Sequence, residues 1–497
     1  MQVKGKSMFG KTFSPLFDRM EKYHNGANTM SDRMLKDGNK GKSGSIHFIG
    51  IGGIGMSGMA EVLLNLGYSV TGSDMKKSPI TERLENLGAT IHYEHRKENI
   101  QNCEVVVFSA AVPMTNPEIR EAKSKKIPII PRAEMLNELV RMKKSIGIAG
   151  THGKTTTTGM LSFVLKEAGL DPTMLVGGVL DSMGSNAHLG HGDFLVFEAC
   201  EAYNSIDYFL PEISIVLNID RDHLECYPNF DALKQTFKNF LNKVPFYSFC
   251  VANIDDENVR QLTQDLSKRL ITFGFSEDAD IRAVDMEFIG MSTRYLVTAF
   301  GKELGYFTLA IPGKHNVLNS LAVIAVALQI GVEPEKIQSA FHKFKNSERR
   351  FQVLYDSGKV MVVDDYAHHP NEITATLSAA RNLIDGKQKK RVIAAFQPHL
   401  YSRTQMHYEG FSESLLLADK IYLSSIYPAR EKPIPGVTSS LIYDLIAEKA
   451  ADKIVYIDEI DSLVEKLKNE IEEGDVVIMM GAGNITRACH QLADSLK

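Results

Sequence analysis

One stretch of ten residues combines the residue types that hold phosphate. Residues 149–158 read Ala-Gly-Thr-His-Gly-Lys-Thr-Thr-Thr-Thr, between a short apolar run and a helical pattern. In such a turn the backbone N–H groups and the helix N-terminus face an anion, Lys154 adds positive charge, and the Thr155 hydroxyl can bind Mg²⁺. An ordinary P-loop would require glycine where this chain has Ile148. The stretch therefore predicts a variant ATP-binding loop, formed by Gly150, Thr151, His152, Gly153, Lys154, Thr155 and Thr156.

A second glycine-rich turn lies earlier in the chain. Residues 50–55 read Gly-Ile-Gly-Gly-Ile-Gly after an apolar run, and Asp74 follows about 20 residues later, the spacing of a dinucleotide fingerprint. The motif indicates a pyrophosphate at a helix N-terminus, and both NAD and UDP carry one. At this point an NAD-dependent dehydrogenase and a UDP-binding domain both remain open.

Acidic and imidazole groups follow two apolar strands of the central part of the chain. Glu198 ends one strand pattern, and Asn218-Ile-Asp-Arg-Asp-His223 ends the next. A carboxylate and a neutral imidazole near a Gly-Lys-Thr loop suit Mg²⁺ bridging to ATP phosphates. The alternative is a helix cap with a structural histidine. The coincidence of three such features favours a metal site beside the Gly-Lys-Thr loop.

Two further polar segments lie downstream. Pro312-Gly-Lys-His315-Asn316 precedes a helical pattern, where His315 and Asn316 could reach a nucleotide base or simply cap the helix. The neighbouring pair Arg349 and Arg350 lies at a joint between two blocks. These arginines could neutralise a transferring phosphoryl group or form an interdomain salt bridge.

The last candidate site follows two strand patterns near the C-terminal end. Asp364-Asp-Tyr-Ala-His-His-Pro follows one, and Gln397-Pro-His-Leu-Tyr-Ser-Arg403 follows the other. Solvated loops are the alternative, but two histidines and an arginine gathered at strand ends favour a pocket for a small carboxylate.

Alternating strand and helix patterns must position these groups. They predict an α/β fold with mainly parallel sheets in three domains, each bearing its polar clusters beyond the carboxyl ends of strands, where such sheets bind ligands. We expect Rossmann-like first and third domains and a P-loop-type ATPase in the centre. The predicted boundaries are a flexible extension over 1–43 and domains over 44–142, 143–346 and 347–497.

Composition narrows the function further. The 497 residues are 44% hydrophobic and 24% charged with a net charge of −5, so no basic field favours nucleic acid. No apolar run approaches the roughly 20 residues of a membrane-spanning helix. The five cysteines form no CxxC pair, which is typical of reduced thiols. We therefore expect a cytoplasmic protein without membrane insertion, monomeric or homodimeric. A P-loop motor or switch ATPase is disfavoured because the loop is not a normal Walker sequence.

Over residues 44–497 the chain resembles the Mur ligases. Six motifs occur in the order of that family, at 150–155, 218–223, 313–316, 349–351, 364–370 and 396–399. The resemblance implies an ATP- and Mg²⁺-dependent amide ligase of peptidoglycan synthesis that joins L-alanine to the lactyl carboxylate of UDP-N-acetylmuramate through an acyl phosphate, releasing ADP and phosphate. A family reaction that adds a recycled tripeptide to the same sugar remains the rival. The intact segments at 396–399 and 481–484 favour L-alanine.

The resemblance also implies roles for individual residues. Lys154 contacts the β- and γ-phosphates, one of Arg349 and Arg350 meets the γ-phosphate, and His368 orients or deprotonates the amine. His315 and Asn316 reach adenine, and Asp365 reaches the ribose. The implied Mg²⁺ ligands are Thr155, Glu198 and His223. The implied L-alanine side of the pocket comprises Tyr366, His368, His399 and Arg403. The UDP-sugar side comprises Gly52, Gly53, Ile54, Gly55, Asp74, His95, Ser109 and Arg132. This chain departs from the family where Leu400 replaces an arginine that some members carry and where Ala-Cys-Glu-Ala follows Glu198.

Overall fold

A computed structural model describes residues 45–109, 111–180, 185–188, 190–221, 226–384, 391–429 and 431–497. The predicted extension 1–43 and His223 lie outside the described residues, as does the side chain of Ile54. Within the described ranges no helix is long and apolar enough to cross a bilayer.

The first sheet is parallel and has five strands in the order β3-β2-β1-β4-β5. Its strands are β1 Ser45–Ile49, β2 Ser69–Ser73, β3 Thr90–His92, β4 Val105–Phe108 and β5 Ile129–Pro131. Its helices are α1 Ile54–Asn65, α2 Pro79–Asn86, α3 Pro117–Ser124 and α4 Arg132–Val140. The chain adds strands on one side of β1 and then, from β4, on the other side. The glycine turn after β1 therefore lies at the switch point, where such sheets bind ligands.

The second sheet has ten strands in the order β15-β14-β13-β12-β11-β10-β6-β9-β7-β8. Its strands are β6 Lys144–Ala149, β7 Thr173–Leu180, β8 Ser185–His188, β9 Phe194–Glu198, β10 Ile213–Val216, β11 Cys250–Asn253, β12 Leu270–Gly274, β13 Ile281–Ile289, β14 Ser292–Ala299 and β15 Lys302–Leu309. Its helices are α5 Lys154–Glu167, α6 Phe230–Asn242, α7 Glu257–Thr263, α8 Lys314–Gln329 and α9 Pro334–Lys343. The strands from β12 to β7 pair in parallel, and β8 pairs antiparallel to β7.

The third sheet has six strands in the order β16-β17-β21-β18-β19-β20, parallel except at the edge pair β16 and β17. Its strands are β16 Gln352–Asp356, β17 Met361–Asp365, β18 Arg391–Phe396, β19 Lys420–Ser424, β20 Ile454–Ile457 and β21 Asp475–Met480. Its helices are α10 Pro370–Ile384, α11 Tyr401–Leu415, α12 Ser440–Ala450, α13 Ile460–Glu470 and α14 Ile485–Ser495. The predicted α/β class with mainly parallel sheets is confirmed.

Contacts divide the chain into two compact units. The first holds the described residues up to Val284 together with Leu296–Gly305 and Leu318–Lys343. The second holds Asp285–Tyr295, Tyr306–Val317 and Phe344–Lys497. The domain boundaries predicted from the sequence stay a prediction.

Strand β6, which leads into the phosphate loop, lacks a side chain at Gly147. A Cβ there would lie 2.8 Å from the ring of Phe197 and 2.9 Å from the ring of Phe240. Both rings are fully buried. The two aromatic residues therefore pack directly on the backbone of this strand, and only glycine leaves room for them.

Candidate active site

The phosphate loop of the first unit needs glycine at both ends. Gly150 has φ +144° and Gly153 has φ +84°, and helix α5 begins at Lys154. Asn218, two residues after the end of β10, holds the phosphate loop. Its side chain accepts from the N–H of His152 at 2.8 Å and donates to the carbonyl of His152 at 3.0 Å. The loop is thus held in place by the neighbouring strand end.

Lys154 lies at the centre of this loop. Its Nζ donates to the carbonyl oxygens of Gly150 and Thr151 and to the carboxylate of Glu201, whose two oxygens lie 2.9 and 3.2 Å away. Burial alone would lower the pKa of Lys154, but the charge of Glu201 and of nearby groups raises it above its usual range. The lysine is therefore a fixed cation. Glu201 lies in the segment after Glu198 that the sequence singled out, but nothing in the sequence indicated its contact with Lys154.

The residues of the predicted metal site fit a hard cation as far as they are described. Oε1 of Glu198 is buried and makes no hydrogen bond to the described residues. A buried carboxylate oxygen without a donor suits Mg²⁺. Glu198 ends β9, and Thr155 lies in the first turn of α5, directly after Lys154. His223, the third predicted ligand, lies outside the described residues.

Asn319 is a second residue that the sequence interpretation missed. A Cβ on Gly153 would come within 2.6 Å of its Oδ1, so Asn319 lies directly against the phosphate loop. It is buried on α8, one helical turn after Asn316. The i, i+3 spacing of the two asparagines was the available signal, because it puts both on one helix face.

The predicted UDP-sugar residues gather around the turn between β1 and α1. The N–H of Gly52 donates to Oδ2 of Asp74 at 2.8 Å. A Cβ on Gly55 would collide with the guanidinium of Arg132, and one on Gly50 would lie 3.9 Å from Oγ of Ser109. The turn therefore has backbone N–H groups, a cation and a hydroxyl close together, which suits a diphosphate.

His95 is held by a buried carboxylate. Its Nδ1 lies 2.8 Å from Oε2 of Glu118 and 3.0 Å from Oγ of Ser73. Glu118 is fully buried, and its other oxygen lies 3.3 Å from Nε2 of His47. Although burial alone would raise the pKa of Glu118, hydrogen bonds from His47, Asn99 and Ser73 lower it. Glu118 therefore acts as an ionised anchor for His95.

Arg349 and Arg350, the neighbouring arginines of the second unit, contact different carboxylates. Nε of Arg349 lies 3.4 Å from Oδ2 of Asp364, and its guanidinium donates to the carbonyl of Gly481. Nη1 of Arg350 lies 3.7 Å from Oε1 of Glu372, and its guanidinium lies 5.4 Å from the ring centre of Tyr366. Arg349 is thus tied to the end of the sheet, whereas Arg350 faces the first turn of α10.

Asp365 is buried and His315 is half-buried, and the charge of Arg350 acts on both. Burial, reinforced by Arg350, lowers the pKa of His315 to about 4, so its imidazole is neutral. Burial raises the pKa of Asp365 to about 6 against the opposing charge of Arg350. The Asp365 carboxylate accepts from the N–H groups of Phe351 and Ala367 at 2.7 and 2.8 Å. Asn316 donates to the carbonyl of Pro312 at 2.6 Å, within the first turn of α8.

The predicted amino-acid residues lie together in the second unit. The rings of His368 and His399 are 6.3 Å apart, and Tyr366 packs edge-on against His368 at 5.0 Å. Nη1 of Arg403 lies 3.3 Å from Nδ1 of His399. Burial lowers the pKa of His399 to about 4, reinforced by Arg403, and burial likewise lowers the pKa of His368. Two neutral imidazoles, a phenol and a guanidinium therefore lie close together, and this set of groups suits a small zwitterion.

Leu400, between these groups, has φ +71°. A branched residue with a positive φ has a strained backbone, and such strain is typical of functional sites. Its N–H donates to the carbonyl of Tyr427, whose ring stacks on His399 at 5.8 Å. Tyr427 therefore positions His399, which the sequence did not indicate.

Family models match almost the whole described chain in three consecutive segments. The Mur ligase family catalytic domain matches residues 45–144, the Mur ligase middle domain matches 148–327, and the Mur ligase glutamate ligase domain matches 349–483. The chain belongs to the Mur ligase family. The resemblance inferred from the six motifs is thereby confirmed.

Individual Mur ligases are similar over nearly their full length. The UDP-N-acetylmuramate–L-alanine ligase of Geotalea uraniireducens is 48% identical over 92% of this chain and 99% of its own. The solved UDP-N-acetylmuramate-alanine ligase MurC from Thermotoga maritima is 28% identical, with a TM-score of 0.76 over 91% of this chain and 99% of its own. A murein peptide ligase from Psychrobacter arcticus shares the fold, at 24% identity and a TM-score of 0.65 over 91% of this chain and 98% of its own.

Proposed function

We propose that this Mur ligase joins L-alanine to the lactyl carboxylate of UDP-N-acetylmuramate at the expense of ATP, in the cytoplasmic part of peptidoglycan synthesis. The similarity to UDP-N-acetylmuramate–L-alanine ligases over 92% of the chain carries the proposal. The amino-acid pocket supports it, because a small zwitterion matches its two neutral imidazoles and its guanidinium.

The reaction begins with activation of the carboxylate. A carboxylate repels nucleophiles and lacks a good leaving group, so the γ-phosphoryl group of ATP is transferred to it first. Lys154 and Arg350 would stabilise the negative charge on the phosphoryl group during its transfer. Mg²⁺, held by Thr155 and Glu198, would supply further positive charge at the phosphates when bound.

The second step forms the amide. The uncharged amine of L-alanine attacks the acyl carbon, a tetrahedral intermediate forms, and phosphate leaves. Arg403 and His399 would hold the alanine carboxylate, and His368 would orient the amine and accept its proton at Nε2. The UDP moiety would be held by the turn after β1, with the backbone of Gly52 and Gly55 and the Arg132 guanidinium at the diphosphate.

ADP release by the purified protein tests the proposal. With Mg²⁺-ATP present, UDP-N-acetylmuramate and then L-alanine or the tripeptide L-Ala-γ-D-Glu-diaminopimelate are added. Turnover that needs both the sugar and free L-alanine is expected. Turnover with the tripeptide alone would make the protein a recycling ligase, and hydrolysis indifferent to the sugar would overturn the ligase function. Lys154→Ala should abolish turnover, whereas Lys166→Ala, an exposed change on the same helix α5, should not.

A further inference from the structure

Glu372 is a largely buried acidic residue that touches two site residues of the second unit. It lies in the first turn of α10, and its side chain is 13% exposed. Oε1 lies 3.7 Å from Nη1 of Arg350, and Oε2 accepts from the backbone N–H of His368 at 3.0 Å. One carboxylate therefore joins a proposed phosphate contact to a proposed amine contact.

The same carboxylate lies on the protonated side of the His368 ring. Nδ1 of His368 is 2.8 Å from the carbonyl oxygen of Tyr366 and 3.3 Å from Oε2 of Glu372. A carbonyl oxygen can only accept, so Nδ1 carries the proton, and in the neutral ring Nε2 keeps its lone pair. The Tyr366 carbonyl and Glu372 together select this tautomer.

His399 has the opposite tautomer. Arg403 can only donate, so Nδ1 of His399 accepts its hydrogen bond and Nε2 carries the proton. The pocket thus offers a lone pair on one ring and an N–H on the other. This pair favours an amino acid with its amine toward His368 and its carboxylate toward His399 and Arg403.

We propose that Glu372 is a positioning residue for amide formation, which holds the His368 ring with Nε2 free to accept the amine proton and ties that ring to Arg350. The inference rests on the proposed function and adds a residue to it. The negative charge of Glu372 also acts on the buried groups around it. It opposes the effect of burial on the pKa of His315 and of His368, and it reinforces the effect of burial on that of Asp365.

A purely structural role for Glu372 would be to cap helix α10 through the N–H of His368. The substitution Glu372→Gln separates the two roles, because the amide oxygen still accepts that hydrogen bond while the charge is lost. Glu335→Gln is the matched control, since Glu335 is an exposed acid in the first turn of α9, which also begins with proline.

The experiment is kcat/KM for L-alanine as a function of pH in the full-length protein. Glu372→Gln is expected to lower it about 10- to 100-fold, the scale of a misplaced catalytic group. The acidic limb should move to lower pH, because the charge that raises the pKa of His368 is gone while Arg403, Arg350, His399 and Tyr366 still face the ring. KM for UDP-N-acetylmuramate should not change, and Glu335→Gln should behave as wild type.

Two further variants make the result decisive. Glu372→Asp keeps the charge, so its acidic limb should stay at the wild-type pH even if its activity falls. In a His368→Ala background, Glu372→Gln should cost little more, since it acts through His368. An unmoved acidic limb, or equal losses in both backgrounds, would overturn the proposal that Glu372 positions His368. If the wild type shows no alanine-dependent ADP release, the proposed function itself fails, and this inference with it.

Discussion

Lys154 and Glu201 form an ion pair inside the phosphate loop, with Nζ and Oε2 2.9 Å apart and the side chains 14% and 1% exposed. The other hydrogen bonds of Nζ go to the carbonyl oxygens of Gly150 and Thr151. An ammonium group has three donors, so a phosphate oxygen must replace one of these partners. Glu201 is the anionic one, and a phosphate repels it. We therefore expect nucleotide binding to exchange the Glu201 carboxylate for a phosphate at Lys154.

Glu201→Gln should destabilise the free protein and strengthen its response to phosphate. Breaking a buried ion pair from one side costs about 3–5 kcal/mol, because the remaining charge is left uncompensated. ADP or inorganic phosphate can then supply the missing charge, so either should raise Tm more in the variant than in the wild type. Thermal unfolding with and without these anions measures this. Equal shifts of Tm in both proteins would contradict the exchange. The control is Glu167→Gln, because Glu167 lies at the end of α5, the helix that Lys154 begins.

Gly153→Ala should abolish ATP binding, whereas Gly169→Ala should not. The two glycines have nearly the same φ, +84° and +85°, so alanine is strained at both by about 1–3 kcal/mol. At Gly153 the new Cβ also lies 2.6 Å from Oδ1 of Asn319, while at Gly169 nothing lies within 4 Å. Equilibrium binding of ATP and thermal unfolding of both variants separate the two effects. Retained ATP binding by Gly153→Ala would show that the loop tolerates the displacement.

Glu212→Gln should stabilise the protein at pH 8 and leave it unchanged at pH 4. Burial raises the pKa of Glu212 to about 7, against the opposing charge of Lys144. The folded state therefore keeps its proton to higher pH than the unfolded state, and wild-type stability falls between about pH 4.5 and pH 7. At 1.36 kcal/mol per pKa unit the loss is on the order of 3 kcal/mol. Denaturant unfolding across this pH range should show a difference between variant and wild type that grows with pH and then levels off.

Arg403→Ala should raise KM for L-alanine while leaving KM for ATP unchanged. With Leu400 in place of an arginine, we expect the alanine carboxylate to be bound by Arg403 and His399, and a charged hydrogen bond contributes about 1.5–3 kcal/mol. That corresponds to roughly a 10- to 100-fold increase in KM. Steady-state kinetics with each substrate varied in turn gives the answer. Arg487→Ala, an exposed arginine of α14, is the control and should not alter either constant.

The sequence predicted the fold class because strand and helix patterns alternate along it. It predicted the position of the polar motifs because they follow strand ends. Gly150, Lys154, His368 and His399 all lie directly beyond strands of parallel sheets, as their place after apolar runs indicated. Their partners could not be found in that way. Glu118, Glu201 and Glu372 received no role from the sequence, because the importance of each depends on the side chains that the fold places around it. The choice between Arg349 and Arg350 likewise depends on Asp364 and Glu372, which no spacing reveals.

The bare backbone of Gly147 connects the aromatic core to nucleotide recognition. Phe197 and Phe240 rest on the strand that ends in the phosphate loop, and neither ring has a chemical role. Replacing either phenylalanine with a smaller apolar residue would let the strand move toward the space that the ring had filled. The phosphate loop at its end would then move with the strand. Substitutions in the interior could then alter ATP affinity without touching a single substrate atom. In this ligase, evolutionary tuning of the nucleotide site could therefore act through residues far from any substrate.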